Sequence, residues 1–193
     1  MIILGLTGPS GSGKSTASKL LEQQGFKHID TDKISREIIP KVLTELIKTF
    51  GRGILTENGA LDRKKLAASA FSSPENTSKL NKIMHPQIMK EVQDIINEAK
   101  ANGYKGAVVD GAAIIEAGAC GICDKTITIY ANDKDRINRV IKRDNITEEE
   151  ALIRFGGQKP LSYYIDNTDY SINNENREFL EQRLIEIIND IKS

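Results

Sequence analysis

The chain has 193 residues, which suffices for one domain with a substantial hydrophobic core. Its 27 basic and 27 acidic residues give a formal net charge of zero, which argues against a general nucleic-acid binder, because such domains are usually strongly basic. No apolar run approaches the roughly 20 residues of a membrane span, and the apolar N-terminus is too short for a signal peptide. We therefore expect a cytoplasmic protein that binds neither membranes nor nucleic acid. The sequence does not fix the oligomeric state, and a monomer is the expectation.

The segment from Gly8 to Thr16 carries the strongest motif. It reads G-P-S-G-S-G-K-S-T and fits the phosphate-binding pattern G-x-x-x-x-G-K-[ST] at every fixed position. The apolar stretch Ile2–Thr7 before it predicts a buried strand, and apolar residues at helical spacing follow it. Glycines let backbone N–H groups turn toward a phosphate, and a helix N-terminus adds partial positive charge. We therefore predict that the chain binds a nucleoside triphosphate.

The individual roles within this loop follow from the motif. Lys14 is expected to reach the β- and γ-phosphates, and the Ser15 hydroxyl to hold Mg²⁺. The predicted nucleotide-binding residues of the loop are Gly8, Pro9, Ser10, Gly11, Ser12, Gly13, Lys14, Ser15 and Thr16.

The rest of the chain alternates predicted strands with predicted helices. Gly25 is well placed to end the first helix. Short apolar and β-branched stretches predict strands at Lys27–Asp30, Gly106–Asp110, Thr126–Tyr130 and Tyr170–Asn173. Such alternation predicts an α/β fold with a parallel sheet and helices on both faces. In folds of this kind the ligand lies at the carboxyl ends of the strands.

Helical periodicity marks four further regions. Helix is expected from Leu61 to about Ala101, from Asp133 to Asp144, from a capped start at Thr147, and in an amphipathic tail. The long helical stretch of about 60–103 is interpreted as an insertion over the site, and residues 1–193 as a single domain.

Aspartates follow two of the predicted strands. Asp32 comes just after the second strand and is the candidate base, because a kinase that acts on an alcohol benefits from a carboxylate that positions the hydroxyl and accepts its proton. Helix capping is the alternative role for Asp30 and Asp32. Asp110 ends the third strand and is a candidate ligand of Mg²⁺, directly or through water. A solvated carboxylate at a strand end is the alternative for Asp110.

The predicted helix Asp133–Asp144 carries three arginines. Arg136, Arg139 and Arg143 are spaced by three and four residues, which puts them on one helix face. Phosphoryl transfer requires cations on the migrating phosphate, and a guanidinium fork suits that task. The alternative is a solvated basic face paired with acids.

Two cysteines, Cys120 and Cys123, form an isolated C-x-x-C pair. A redox pair is one interpretation, but a structural zinc site would need two more ligands. The favoured interpretation is two small residues in a loop after a strand, with no role assigned.

Taken in order, these segments resemble the dephospho-CoA kinase family over nearly the whole chain. The phosphate loop alone is shared by many families, whereas the ordered set is much more specific. The matching segments are 4–16, Asp30-Thr31-Asp32 with Arg36, 58–66, His85-Pro86, Arg139 with Arg143-Asp144, Gln158, and 169–174.

The resemblance implies a three-layer P-loop fold with a helical lid at about 133–160 and a helical acceptor-binding insertion. It implies transfer of the γ-phosphate of ATP to the 3′-hydroxyl of dephospho-CoA, the last step of coenzyme A synthesis. It also implies residue roles. Asp32 would act as base, and Arg139 and Arg143 would be catalytic residues of the lid, together with Lys14 of the loop. The acceptor side would include Arg63, His85 and Gln158, and Asn174 would lie near the adenine.

The sequence departs from the family pattern at several positions. Ala112 stands where the family commonly has proline, and Arg136 stands where it often has glutamine. Tyr163 or Tyr164 replaces a usual lysine, and Thr168 replaces an alanine. The phosphate loop and Asp32 are untouched, so a divergent member fits better than a different chemistry.

Other functions remain open on the sequence. One is another small-molecule kinase of the same fold, with a nucleoside, nucleotide or sugar acceptor. Another is a nucleotide-dependent switch or binding protein, although the N-K-x-D motif of guanine-specific switches fails at residues 81–84. A switch does not explain the arginine-bearing helix, and an inactive scaffold does not explain intact Lys14, Ser15 and Asp32.

Overall fold

The computed structural model of the chain describes residues 1–111, 114–116 and 118–192. Ala112, one of the departures from the family pattern, lies outside the described residues. The chain divides into two compact units, one formed by residues 1–30 with residues from 95 onward, and the other by residues 31–94. The single-domain expectation stays a prediction.

All strands of the described sheet run parallel and belong to the first unit. Their order across the sheet is β2-β3-β1-β4-β5. This confirms the predicted parallel sheet, and two of the strands begin one residue earlier than expected. The bounds are β1 (Ile2–Thr7), β2 (Phe26–Asp30), β3 (Gly106–Asp110), β4 (Lys125–Tyr130) and β5 (Tyr170–Asn173).

The helices of the described residues are, in chain order, α1 (Lys14–Gln23), α2 (Thr31–Glu37), α3 (Ile39–Phe50), α4 (Arg63–Ala70), α5 (Pro74–Ala101), α6 (Asp133–Asp144), α7 (Glu148–Gly156), α8 (Leu161–Asp166) and α9 (Arg177–Lys192). Along the described part of the chain, none of these helices combines the length and apolarity that crossing a membrane requires.

The first unit is built around the central strands. Four successive residues of β1, Leu4 to Thr7, are buried, and because successive residues point to opposite faces the strand is covered on both faces. Helices α1 and α9 pack against each other beside this sheet. The predicted apolar stripe of the tail is buried as expected at Leu180, Leu184, Ile187 and Ile188.

The helices around the lid follow local capping rules. The Asn132 side chain accepts the backbone N–H of Asp135 at 2.9 Å and starts α6. Thr147 and Glu150 form the predicted capping box at the start of α7. The α6 bounds match the prediction, whereas the sequence interpretation did not include α8.

The second unit corrects the expected continuous helix from Leu61 to about Ala101. Leu61 forms an isolated antiparallel bridge with Leu55, and α4 begins only after Asp62. The Asp62 carboxylate accepts the N–H groups of Lys64 at 2.9 Å and Lys65 at 3.1 Å. Three residues then separate α4 from α5, which begins at Pro74, a residue favoured in the first turn because it has no N–H to donate.

Helices α2 and α3 lie where the sequence predicts no helix apart from the one that Asp30 or Asp32 would cap. The buried residues of this segment recur at helical spacing, Ile34 and Ile38 first, then Val42 and Leu46. The apolar pattern was therefore present in the sequence, and four-residue spacing is its signal.

The cysteines lie in a short 3₁₀ turn at Ala119–Ile122 and just after it. Both are free thiols, and Cys123 Sγ lies 3.2 Å from the carbonyl oxygen of Ala119. Burial raises the pKa of Cys123 to about 12. A thiol that stays protonated is a poor nucleophile, which agrees with the interpretation that assigned the pair no role.

We expect Asp169→Asn to lower the free energy of unfolding near neutral pH by about 1 kcal/mol. The Asp169 carboxylate accepts the Thr126 N–H at 2.8 Å and its hydroxyl at 2.7 Å, and it pairs with Lys125 at 3.2 Å. Burial opposes ionisation, but these hydrogen bonds outweigh it and lower the pKa of Asp169. The stabilisation is therefore complete above the ordinary value of 3.8 and is lost as the pH falls through the lower folded value.

Chemical denaturation across that pH range measures this effect. The matched control is Asp166→Asn, which neutralises an exposed carboxylate at the end of α8. A stability difference between wild type and Asp169→Asn that did not change with pH would contradict the assignment.

Candidate active site

The phosphate-binding motif lies in the predicted context. It connects the end of β1 at Thr7 to the start of α1 at Lys14. The Lys14 ammonium donates to the carbonyl oxygen of Gly8 at 2.6 Å and also approaches that of Pro9 at 3.5 Å. The strand, loop and helix therefore form the arrangement that the motif needs, with the lysine held across the loop.

Two glycines of the loop allow close approach of neighbouring segments. Gly8 has φ +138°, and a Cβ there would lie 2.0 Å from the carbonyl oxygen of Ile129 in β4. Gly13 has φ +107°, and a Cβ there would lie 2.0 Å from Nδ2 of Asn174. Both positions combine a left-handed backbone with no room for a side chain, so both require glycine.

We expect Gly8→Ala to lower the free energy of unfolding by about 2–6 kcal/mol, because backbone strain and a clash with backbone add together. Gly103→Ala is the matched control, since Gly103 has φ +75° but nothing within 4 Å of a built Cβ. Strain alone should cost the control about 1–2 kcal/mol. Urea denaturation compares the two variants, and equal losses would show that the contact with β4 contributes nothing.

The three arginines of α6 have different surroundings. Arg136 is 9% exposed, Arg139 is half-buried, and Arg143 is exposed. Arg139 Nη1 donates to the carbonyl oxygens of Gly11 and Ser12, both at 3.3 Å. Two of the three guanidinium groups therefore lie against the phosphate loop, and the shared helix face predicted from spacing holds only in part.

Arg143 instead faces an acid of its own helix. Its Nε and Nη2 donate to the two carboxylate oxygens of Asp144 at 2.7 and 2.9 Å. Arg154 of α7 pairs with the same carboxylate. The two guanidinium groups, Arg143 foremost, hold the pKa of Asp144 well below its usual range. This ion-pair network links α6 to α7 on the exposed side of the lid.

Gln158 lies against the phosphate loop. Its side-chain oxygen accepts the Ser10 N–H at 3.0 Å and an Arg136 N–H at 3.3 Å. Its side-chain nitrogen approaches the carbonyl oxygen of Arg154 at 3.4 Å. The predicted acceptor-side role of Gln158 stays a prediction, and its contacts within the first unit are with the loop and the lid.

Asn174 is also held on the loop. It is 7% exposed, and its Nδ2 donates to the carbonyl oxygen of Ser12 at 2.8 Å. Its backbone N–H donates to the carbonyl oxygen of Tyr130, the last residue of β4, at 2.7 Å. Asn174, predicted to lie near the adenine, therefore fixes the segment after β5 to the phosphate loop.

Asp110 lies at the carboxyl end of β3 in a cluster that the sequence did not reveal. Its Oδ2 accepts from the Ser18 hydroxyl at 2.8 Å and lies 3.2 Å from Nε2 of His28. That hydrogen bond raises the pKa of His28, against the opposing effect of burial. The sheet register pairs Asp30 with Asp110, so His28 and Asp110 point to the same face two residues apart.

Two hydroxyl groups near the phosphate loop are buried, one at the end of β1 and one in the loop itself. Among the described residues, the side-chain oxygens of Thr7 and Ser12 are buried without a hydrogen-bond partner. Buried hydroxyls ordinarily find a partner. The Ser12 hydroxyl therefore fits a loop whose hydrogen bonds are completed by a ligand or by water.

Ser15 and Thr16 lie in the first turn of α1, in the first unit, whereas three further predicted site residues belong to the second unit, residues 31–94. Asp32 is exposed in the first turn of α2, not on the strand itself. Arg63 is the exposed first residue of α4, and His85 is half-buried within α5, next to Pro86.

Comparison with known proteins agrees with this geometry. Residues 2–179 match the family model described as dephospho-CoA kinase. The chain is 37% identical to a dephospho-CoA kinase of Corynebacterium glutamicum, covering 99% of this chain and all of the relative. A solved dephospho-CoA kinase from Campylobacter jejuni has a TM-score of 0.67 at 26% identity, covering 98% of this chain and 96% of that one.

A shikimate kinase from Bacteroides thetaiotaomicron has a TM-score of 0.53 at 15% identity, over 100% of this chain and 99% of that one, which shows the fold alone. The family model covers most of the sequence, and the C. glutamicum relative spans nearly all of it. The parallel sheet, the phosphate loop and the arginine-bearing helix fit a kinase. The chain therefore belongs to the dephospho-CoA kinase family.

Proposed function

We propose that the protein transfers the γ-phosphate of ATP to the ribose 3′-hydroxyl of dephospho-CoA, giving coenzyme A and ADP. The observation that carries this proposal is the phosphate loop at the start of α1, backed by Arg139 of the lid helix. Family membership supplies the acceptor, which the loop alone does not specify.

The donor side of the reaction uses residues of the first unit. Lys14 would bind the β- and γ-phosphates. Arg139 would exchange its long hydrogen bonds to the loop carbonyls for charge that develops on the migrating phosphoryl group. Arg143 would close on phosphate with the lid, which requires it to release Asp144.

Hydroxyl and carboxylate oxygens are the ligands that Mg²⁺ prefers, and it commonly keeps waters and substrate phosphates as its other ligands. The Ser15 hydroxyl and the Asp110 carboxylate form such a donor set. Hydrogen bonds from Ser18 and His28 already engage Oδ2 of Asp110, which favours contact through water. Bound Mg²⁺ would neutralise phosphate charge during transfer.

On the acceptor side, Asp32 would take the proton of the 3′-hydroxyl as that oxygen bonds to the γ-phosphorus. The bond between the γ-phosphorus and the bridging oxygen breaks, and ADP leaves. Arg63, His85 and Gln158 would bind or support the acceptor. Lid closure would exclude water and keep ATP from simple hydrolysis.

The proposal includes a cytoplasmic location, where ATP is supplied, and a monomeric state. Size-exclusion chromatography with light scattering measures the mass in solution. A dimer would contradict the expected monomer.

The reaction is tested by ADP release from MgATP with and without dephospho-CoA, with the product identified by mass. We expect acceptor-dependent ADP and one phosphate added to the ribose. Nucleosides, nucleotides and sugars are the comparison acceptors. Stimulation by one of these in place of dephospho-CoA would favour another small-molecule kinase, and ATP binding without any acceptor effect would favour a switch or binding protein.

A further inference from the structure

One residue of the phosphate loop, Ser10, is held through both of its backbone polar groups by the lid. The N–H of Ser10 donates to the Gln158 side chain at 3.0 Å, and its carbonyl oxygen accepts from Nε of Arg136 at 3.0 Å. Arg136 Nη2 also donates to the same Gln158 oxygen at 3.3 Å. The three residues form a closed ring of hydrogen bonds, which we call the Ser10 clasp.

Arg136 is fixed in the clasp by further contacts. Its side chain is 11% exposed, and Nη1 pairs with Asp133 one helical turn earlier at 2.6 Å. Its guanidinium carbon Cζ lies over the ring of Phe155 in α7, 4.6 Å from the centroid. Each guanidinium nitrogen therefore has a protein acceptor, and the charge is covered by an aromatic ring.

This environment differs from that of Arg139 on the next turn. Among the described residues, the hydrogen bonds of Arg139 are all long, 3.3–3.4 Å, and go to carbonyl oxygens of the loop and Asn174. Such bonds are easily exchanged for a charged phosphate oxygen, because charged pairs are shorter and stronger. Arg136 would have to break an ion pair, a shared hydrogen-bond ring and a stacking contact to reach a phosphate.

We propose that Arg136 is a positioning residue for the phosphate loop: through Ser10 and Gln158, it keeps the loop in the conformation that binds ATP. The inference rests on nucleotide binding, the donor half of the proposed function, and not on the identity of the acceptor. A protein whose binding-competent conformation is populated only in part shows a weaker apparent affinity by that fraction. Loss of the clasp therefore weakens ATP binding, equally in the ground state and in the transition state.

The test compares Arg136→Ala, Gln158→Ala and the double variant by calorimetric titration with MgATP, without acceptor. Arg136→Ala should raise the Kd about tenfold, the size of one lost charge-assisted hydrogen bond. The double variant should lose about as much as Arg136→Ala alone, because both residues act through Ser10 and belong to one ring of hydrogen bonds. In steady state, Arg136→Ala should raise KM for ATP with kcat little changed, the pattern for binding lost equally in both states.

Lys142→Ala is the matched control, since it removes an exposed positive charge from the same helix. Arg136→Lys provides a milder variant, because lysine keeps the charge but cannot engage Ser10, Asp133 and Gln158 together. Its Kd should lie between those of wild type and Arg136→Ala. If the alanine variant does not fold, the lysine variant decides by the same measurement.

Three results would overturn the proposal. Multiplicative losses in the double variant would show that Arg136 and Gln158 act independently. A fall in kcat with unchanged Kd would make Arg136 a ligand of the migrating phosphate. An unchanged Kd in both Arg136 variants would reduce the clasp to a packing contact. Because these measurements need no acceptor, they separate failure of this inference from failure of the dephospho-CoA assignment.

Discussion

Lys14→Ala should lower kcat/KM by about 10³-fold or more, the largest effect expected for this protein. Lys14 begins α1, where the partial positive charge of the helix N-terminus adds to its own. Its ammonium lies 2.6 Å from the carbonyl oxygen of Gly8, so it already spans the loop that would surround the phosphates. Removing it leaves the developing charge on the γ-phosphate without a cation from the loop.

The control variant for this experiment is Lys19→Ala, which removes an exposed lysine from the same helix. Thermal unfolding of both variants separates loss of catalysis from loss of the hydrogen bond that Lys14 makes to the loop. Acceptor-dependent ADP release measures the rate. A Lys14→Ala enzyme that kept more than about a tenth of wild-type activity would show that Arg139 and Mg²⁺ suffice for the phosphate charge.

Most of the sheet was predictable because β1, β3 and β4 are short and rich in apolar or β-branched residues. The phosphate loop was predictable because its function fixes residue types at close spacing, from Gly8 to Ser15, and because its flanking elements are local. Strand order was not predictable from composition or periodicity. His28 and Asp110 meet only because β2 lies beside β3, 82 residues further along the chain.

For helix α6, periodicity predicts the helix but not the segment that it packs against. Spacing places Arg136, Arg139 and Arg143 on one face, but it does not say what that face meets. The structure brings α6 so close to the loop that a Cβ on Gly11 would lie 2.5 Å from the carbonyl oxygen of Arg136. This close approach buries the first arginine and leaves Arg143 exposed beside Asp144. The sequence motif explains Gly11 only as a nucleotide-binding residue, whereas the structure shows that Gly11 also permits this close approach of α6.

The second unit was harder to predict for a different reason. A run of helix-forming residues does not show where a helix starts or stops: α4 starts only after its cap Asp62, and α5 starts at Pro74 after a break. Asp32 was expected at a strand end and instead lies in the first turn of α2. Strand-end and first-turn aspartates look alike in sequence, since both follow an apolar strand.

Asp32→Asn should lower kcat by about 10²–10⁴-fold while ATP binding changes little. The substitution keeps the shape of the side chain and removes the group that would accept the proton of the acceptor hydroxyl. Acceptor-dependent ADP release measures kcat, and calorimetric titration with MgATP measures binding. ATP hydrolysis in the absence of acceptor should stay unchanged, because the base acts on the acceptor and not on ATP.

Glu37→Gln is the matched control for this second experiment. It neutralises an exposed carboxylate at the other end of α2, where Glu37 pairs with Lys33 at 3.7 Å. Asp32 and Glu37 thus share a helix and a charge change, but only Asp32 is assigned a proton. If both variants kept the wild-type rate, Asp32 would be an N-terminal carboxylate that stabilises α2 through the helix dipole. Transfer would then rely on phosphate positioning and electrostatics without a protein base, which a loose, metaphosphate-like transition state would tolerate.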